Sequence, residues 1–226
     1  MIAIGNINAS KVFLGSEEIS KIYLGSTQVW GGSSPTPPTP VLPYDSEIEY
    51  LQSSGTQYMD LGIKPQAGET IEIKFQYDGV QSTIIMGCRT SGTEGKYVIA
   101  GSGTSGTKIY AALGNASNTN LLDFDQNVHT VVVNTSQGTA TIDSGSPVSI
   151  GTFSTNNLNI FLFAANQAGS VSYQATARIM EVKIGTRMWL IPVRNSQTGY
   201  MYDKISEQLF GNAGTDSFTL GNDVTT

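Results

Sequence analysis

One cysteine and one histidine occur in 226 residues. Cys88 alone cannot close an intrachain disulfide, and so small a supply of sulfur and imidazole excludes any zinc arrangement. His129 is the only imidazole that could act as a general base. No Gly-x-Ser-x-Gly turn is present to hold a nucleophile beside it, so a structural role is expected for it. Charge is scarce too: Asp, Glu, Lys and Arg make up 13% of the chain and the formal net charge is -6. That leaves no basic footprint for nucleic acid or an anionic membrane. No run approaches the roughly 18 apolar residues of a membrane span, and Ile-Ala-Ile-Gly after Met1 lacks the basic-then-apolar start of a secretory signal. Folding in a cytoplasm is therefore expected, and the sequons at Asn8, Asn115 and Asn134 read as chance matches. Helix-length amphipathic periods are missing as well. Abundant Gly, Ser, Thr and Asn argue instead for many short strands joined by turns.

The first thirty residues read as three ten-residue phrases beginning at Met1, Lys11 and Lys21. Aligned, they stack Ile2, Val12 and Ile22, then Ile4, Leu14 and Leu24, then Gly5, Gly15 and Gly25. Apolar residues two apart followed by Gly-Ser or Gly-Asn describe a small β-meander with tight turns. Below about 40 residues such a unit needs disulfides, a metal or other chains to offset its ordering entropy. This one has no Cys or His, so its attachment or oligomerisation residues, Ile4, Leu14, Tyr23, Leu24 and Trp30, are expected to pack on other chains; packing as extra strands on the same protein is the alternative. Residues 31–43 follow, with five prolines after Gly31-Gly-Ser-Ser34. Their composition favours a flexible start and then an extended tether. The organisation expected is thus 1–30 attachment segment, 31–43 linker and 44–226 body.

In the body, Thr70–Tyr77 alternates Ile71, Ile73, Phe75 and Tyr77 with Glu72, Lys74 and Gln76, the period of a sheet wet on one face. Ile84–Met86, Tyr97–Ala100 and Lys108–Leu113 are further strands. His129–Val133 and Thr139–Ile142 form a hairpin across Asn134–Gly138. Asn159–Ala164 is an apolar run expected of a strand covered on both faces. In Ala175–Ile184, Met180, Val182 and Ile184 share one face opposite Glu181 and Lys183. About ten strands without crossover helices imply an all-β, antiparallel two-sheet sandwich.

Glu49-Tyr-Leu-Gln-Ser-Ser-Gly-Thr-Gln-Tyr-Met-Asp-Leu-Gly62, the strand at Thr70, Ile191-Pro-Val-Arg-Asn195, Gly199-Tyr-Met-Tyr-Asp-Lys204, Phe210-Gly-Asn212 and Phe218-Thr-Leu-Gly221 together resemble the laminin-G-like, concanavalin A-type jelly-roll domains common in phage and bacterial surface proteins. The resemblance spans nearly Tyr50 to Gly221. His129-Thr-Val-Val is similar to the family's Trp-His-Thr strand, with Val128 in place of the Trp. The Lys-Ile-Tyr-Leu-Gly-Ser phrases resemble short repeats of phage virion and fibre proteins. The family topology implies that Tyr58-Met-Asp60 and Phe218 lie on adjacent strands, with both ends of the body at one pole.

Several constellations carry potential chemistry. Glu69 and Glu72 are an odd number of residues apart, so a regular strand sends them to opposite faces and the carboxylate pair of jelly-roll glucanases is not formed. Asp123 and Asp125 lie two apart and could offer oxygen to calcium, the one cofactor contemplated; Asp143-Ser-Gly145 is a second acidic turn. Tyr97, Tyr110, Asn115, Asn118 and Asn120 are the candidates for stacking on and hydrogen bonding to a glycan, unless the tyrosines are ordinary strand aromatics. Cys88 reads as core filler, and Trp30 and Trp189 as packing anchors. The expectation is a non-enzymatic phage virion protein, a head fibre, decoration or tail appendage, that associates with other virion proteins and copies of itself and displays a glycan-adhesive body. A bacterial adhesin and a carbohydrate-active accessory module are the alternatives.

Overall fold

A computed structural model describes residues 12–19, 21–24, 27–31, 42–79, 82–103 and 107–224, with only the backbone described at 12–13, 22–24 and 27–31. The chain divides between Leu42 and Pro43 into two compact units. In the first, β1 (Val12–Leu14) pairs with β2 (Glu17–Ile19) and β3 (Lys21–Leu24) with β4 (Thr27–Gly31), each pair antiparallel. Gly15 takes a left-handed φ of 66° in the β1–β2 turn, a conformation that glycine adopts without a Cβ penalty. Leu14 is 75% exposed. Ile4, the side chains of Tyr23, Leu24 and Trp30, and most of the expected linker lie outside the described residues.

The second unit holds β5 (Ser46–Glu47), β6 (Leu51–Ser54), β7 (Met59–Asp60), β8 (Thr70–Tyr77), β9 (Ile84–Arg89) and β10 (Lys96–Ser102). Next come β11 (Lys108–Gly114), β12 (Thr119–Asp123), β13 (Val128–Asn134), β14 (Thr139–Ile142), β15 (Val148–Ser149), β16 (Phe161–Leu162) and β17 (Ala164–Gln167). The last are β18 (Ser170–Ser172), β19 (Thr176–Ile184), β20 (Met188–Asn195), β21 (Thr198–Asp203), β22 (Gln208–Phe210) and β23 (Thr219–Leu220). They form two sheets packed face to face, the antiparallel sandwich expected from the sequence and compatible with a jelly roll. The larger runs β15-β14-β13-β8-β19-β20-β21-β22, with β5, β6 and β23 attached at its side. The smaller runs β12-β11-β10-β9-β16-β7, with β17 and β18 attached.

The core lies between them because β8 buries Ile71, Ile73, Phe75 and Tyr77 while Glu72, Lys74 and Gln76 face out. Val131 and Val133 of β13 and Ile179, Val182 and Ile184 of β19 join that layer. The β13–β14 hairpin closes as expected, with Gly138 N–H donating to Asn134 O at 2.9 Å. Cys88 lies in the core, its thiol pushed up to about 12 by burial.

Three expectations are revised. The apolar run is buried from Ile160 to Ala164, but it breaks at Phe163, whose φ is 61°. Before the break β16 runs antiparallel to β9, and after it β17 runs parallel to β9. The strand beside β23 is β6, not Tyr58–Asp60, which belongs to the smaller sheet. The ends of the body still meet, since Ser46 Oγ donates to Asp223 Oδ1 at 2.7 Å and Asn195 Nδ2 to Pro43 O at 3.1 Å. Finally, Met180 does not share a face with Val182 and Ile184. The register of β19 against β8 shifts between Ile179 and Glu181. Such a bulge places two successive side chains on the same side, here Met180 with Glu181 on the outer face.

Phe75 packs edge-on against Tyr77 at 5.5 Å and lies 6.2 Å from the His129 ring. Phe75→Ala should therefore lower the unfolding free energy by about 3–5 kcal/mol. Urea denaturation followed by circular dichroism measures it.

Candidate functional site

The bulge in β19 sits where that strand changes partners. Its first half, Thr176–Ile179, pairs with β6, and its second half, Val182–Ile184, pairs with β20. The chain from β5 to β6 crosses this parting, with Ile48 N–H donating to Pro192 O at 3.0 Å. A groove of about 660 Å³ opens there on the outer face of the larger sheet. Met180, Val128, Val224 and the ring of Tyr50 supply much of its apolar surface, and Gln76, Arg178, Lys74, Glu47, Glu49 and Glu181 its polar groups. Val128 and Val224 are exposed.

The polar groups are held by long-range contacts. The Arg178 guanidinium lies 4.7 Å from the centre of the Tyr50 ring, Nε donates to Gln52 Oε1 at 3.2 Å and Nη1 to Gln76 Oε1 at 3.4 Å. Gln52 in turn donates to Asp78, which lies 3.5 Å from Arg178. Gln76 is pinned by its donation to Gln126 O at 2.7 Å.

Beside the groove stands Trp189. Instead of packing in the core it is 40% exposed, because its position on β20 points to the outer face. Its Nε1–H donates to Glu181 Oε1 at 2.7 Å. Lys183 Nζ and Lys204 Nζ lie 5.5 and 5.2 Å from the ring centre, within cation–π range. Lys183 also reaches Glu72 at 3.1 Å and Glu181 at 3.2 Å, and Lys204 reaches Glu47 at 3.2 Å. Burial alone would lower the pKa of Lys183, but its hydrogen bonds with the two glutamates raise it. The result is an oriented indole next to fixed amide, guanidinium and carboxylate groups over an apolar floor. Sugar rings, with apolar C–H faces and equatorial hydroxyls, match such a surface.

The sequence-based candidates lie elsewhere. Tyr97 is fully buried in the main core and its hydroxyl has no hydrogen-bond partner; burial holds its pKa well above the usual phenol value. Tyr110 is buried in a second cluster with Ile84, Val98, Ala112 and Ala165 on the outer side of the smaller sheet. Neither ring can stack on a glycan, because Tyr97 faces the core and Tyr110 is itself all but sealed from solvent. Asn115, Asn118 and Asn120 are exposed, but on the smaller sheet's side of the sandwich and away from the groove. The calcium candidates are also separated in role: Asp123 pairs with Lys108, while Asp125 Oδ1 accepts from Asn127 N–H and His129 Nε2–H, both at 2.7 Å. No group of three metal-ligating side chains occurs among the described residues. Glu69 takes a two-pronged contact from Arg187 at 2.5 and 2.9 Å, whereas Glu72 turns to Lys183.

His129 is buried between two carboxylates, Nδ1 to Asp143 Oδ2 at 2.6 Å and Nε2 to Asp125 Oδ1 at 2.7 Å. Only the doubly protonated ring donates to both. Burial lowers its pKa, but the hydrogen bonds and charges of Asp143 and Asp125 outweigh that and raise it above 6.5.

Comparison of the chain with family models, with curated proteins and with solved structures finds no match.

Because the folded-state pKa of His129 exceeds the unfolded value, its contribution is complete below about pH 6.5 and fades as pH rises through the folded-state value. His129→Gln should cost about 1.5–3 kcal/mol at low pH and flatten the decline of stability with rising pH. Urea titrations at a series of pH values read both effects.

Proposed function

We propose that the chain is a phage virion appendage, a head-fibre, decoration or tail protein, whose N-terminal unit attaches it and whose body binds glycans without turning them over. The groove beside Trp189 carries the adhesive half of this reading. Its ring surfaces, apolar floor and pinned amides recognise polyols, while Glu47 and Glu181 are tied to lysines and Glu49 accepts from Asn222 Nδ2, so that no two of its carboxylates stand ready as an acid and a nucleophile. The attachment half is supported by Leu14, an apolar side chain left in water on a three-residue strand. The resemblance of both units to virion domains and repeats supports it as well. Many copies on one particle convert weak single-site binding into firm adhesion. The laminin-G-like resemblance makes an exported adhesin or an accessory module the second reading, since either would use the same groove.

Immobilised host polysaccharides should retain the full chain, and Trp189→Ala should weaken retention by roughly tenfold or more. Release of reducing sugar by the protein would refute the non-enzymatic reading, and recovery from host envelopes rather than particles would refute the virion reading. For the N-terminal unit, native mass measurement should find the full chain multimeric and a chain beginning at Pro43 monomeric. Two monomers would instead mean that the unit docks on another virion protein.

A further inference from the structure

Arg89 and Lys96 are each only 5% exposed, yet neither has a carboxylate within ion-pairing distance among the described residues. Buried charges are ordinarily paired, so two adjacent unpaired cations call for an explanation. Their adjacency follows from the ladder. Cys88 on β9 faces Tyr97 on β10 and both point into the core, so Arg89 and Lys96, one step further along, point together to the outer face of the smaller sheet. Repulsion from Arg89 adds to burial in lowering the Lys96 pKa.

The surroundings orient Arg89 without neutralising it. Nε donates to Gln167 Oε1 at 2.9 Å, and the guanidinium lies 4.2 Å from the centre of the Tyr173 ring. Tyr173 holds a φ of 56°, an uncommon and costly conformation for an aromatic residue, and keeps 43% of its surface exposed. The two terminal guanidinium nitrogens have no protein acceptor, and they are not sealed from solvent, since the only fully buried polar side-chain atom without a partner among the described residues is the Tyr97 hydroxyl. Lys96 Nζ donates to one acceptor, Ala116 O at 2.7 Å, leaving donors to spare.

We propose that Arg89 and Lys96 form a carboxylate subsite for an acidic sugar residue, with the exposed ring of Tyr173 against its C–H face. The planar guanidinium edge matches a carboxylate in two-pronged geometry, and the ammonium adds a second charge-assisted bond. This site lies on the opposite side of the sandwich from the groove and stands independently of it.

The test titrates the full chain with methyl glucuronide and methyl glucoside, which differ only in a carboxylate for a hydroxymethyl group, and follows backbone amide shifts by NMR. The glucuronide should bind with a dissociation constant in the millimolar range and move Arg89, Lys96 and Tyr173, and the glucoside should bind at least about tenfold more weakly there. Arg89→Gln should remove the preference, Lys96→Gln should reduce it, and Trp189→Ala should leave it intact. Thermal unfolding of each variant separates loss of the site from loss of the fold; should Arg89→Gln unfold, the Lys96→Gln result decides. Equal binding of the two glycosides, no shift at these residues, or a preference that survives both substitutions would overturn the proposal. Inorganic phosphate binding the same residues more tightly than the glucuronide would overturn the carboxylate assignment.

Discussion

Burial of alternate residues on β8, β13 and β19 against the smaller sheet is the constraint from which the rest of the body follows. Ile71, Ile73, Phe75 and Tyr77, with Val131, Val133, Val182 and Ile184, are all but sealed from water. Each strand has only two faces, so committing one to the core commits the other to solvent. Glu72, Lys74, Gln76, Arg178 and Lys183 are outward for that reason alone. The groove needs one further event, the bulge at Met180 and Glu181. The extra residue adds an apolar side chain to the otherwise polar outer side of β19, at the point where that strand leaves β6 for β20.

The two outer faces solve their electrostatics differently. Around Trp189 on the larger sheet the charges are matched: Lys183 lies between Glu72 and Glu181, and Lys204 meets Glu47 beside the same indole. Such partly exposed pairs contribute little stability, but they fix the positions of the groups around Trp189. On the smaller sheet Arg89 and Lys96 are more deeply covered and unmatched. A matched surface is suited to neutral polar ligands, and an unmatched buried pair to an anion. His129 is a third arrangement, one cation shared by two acids, and it ties the turn at Asp143 to the segment containing Asp125.

Much of the fold was legible in the residues. Thr70–Tyr77 alternates without interruption, and in β8 every outward and inward assignment holds. The hairpin from β13 to β14 was marked by Asn134 and Gly138, whose side-chain oxygen and left-handed backbone close the turn. The candidate site was far less legible. Tyr97 and Tyr110 sit beside Gly- and Asn-rich stretches that suggest loops, but the smaller sheet buries both rings. Trp189 was read as a core anchor because a large apolar residue is ordinarily buried. Its neighbours Glu181, Lys183 and Lys204 are apolar enough along their stems, and charged enough at their ends, to hold it at the surface. Met180 was misplaced by a bulge, a one-residue event with no periodic signal.

By itself, the order of residues determined the class of the protein and the sidedness of its strands, because both depend on a repeat of two that neighbours along the chain already display. Only the tertiary structure decided which polar groups meet. Arg178 with Tyr50 and Arg89 with Tyr173 are contacts between segments distant in sequence, and Trp189 meets Lys204 just beyond the paired β20 and β21; all three depend on registers, bulges and partner changes that arise when two sheets twist and close on one core.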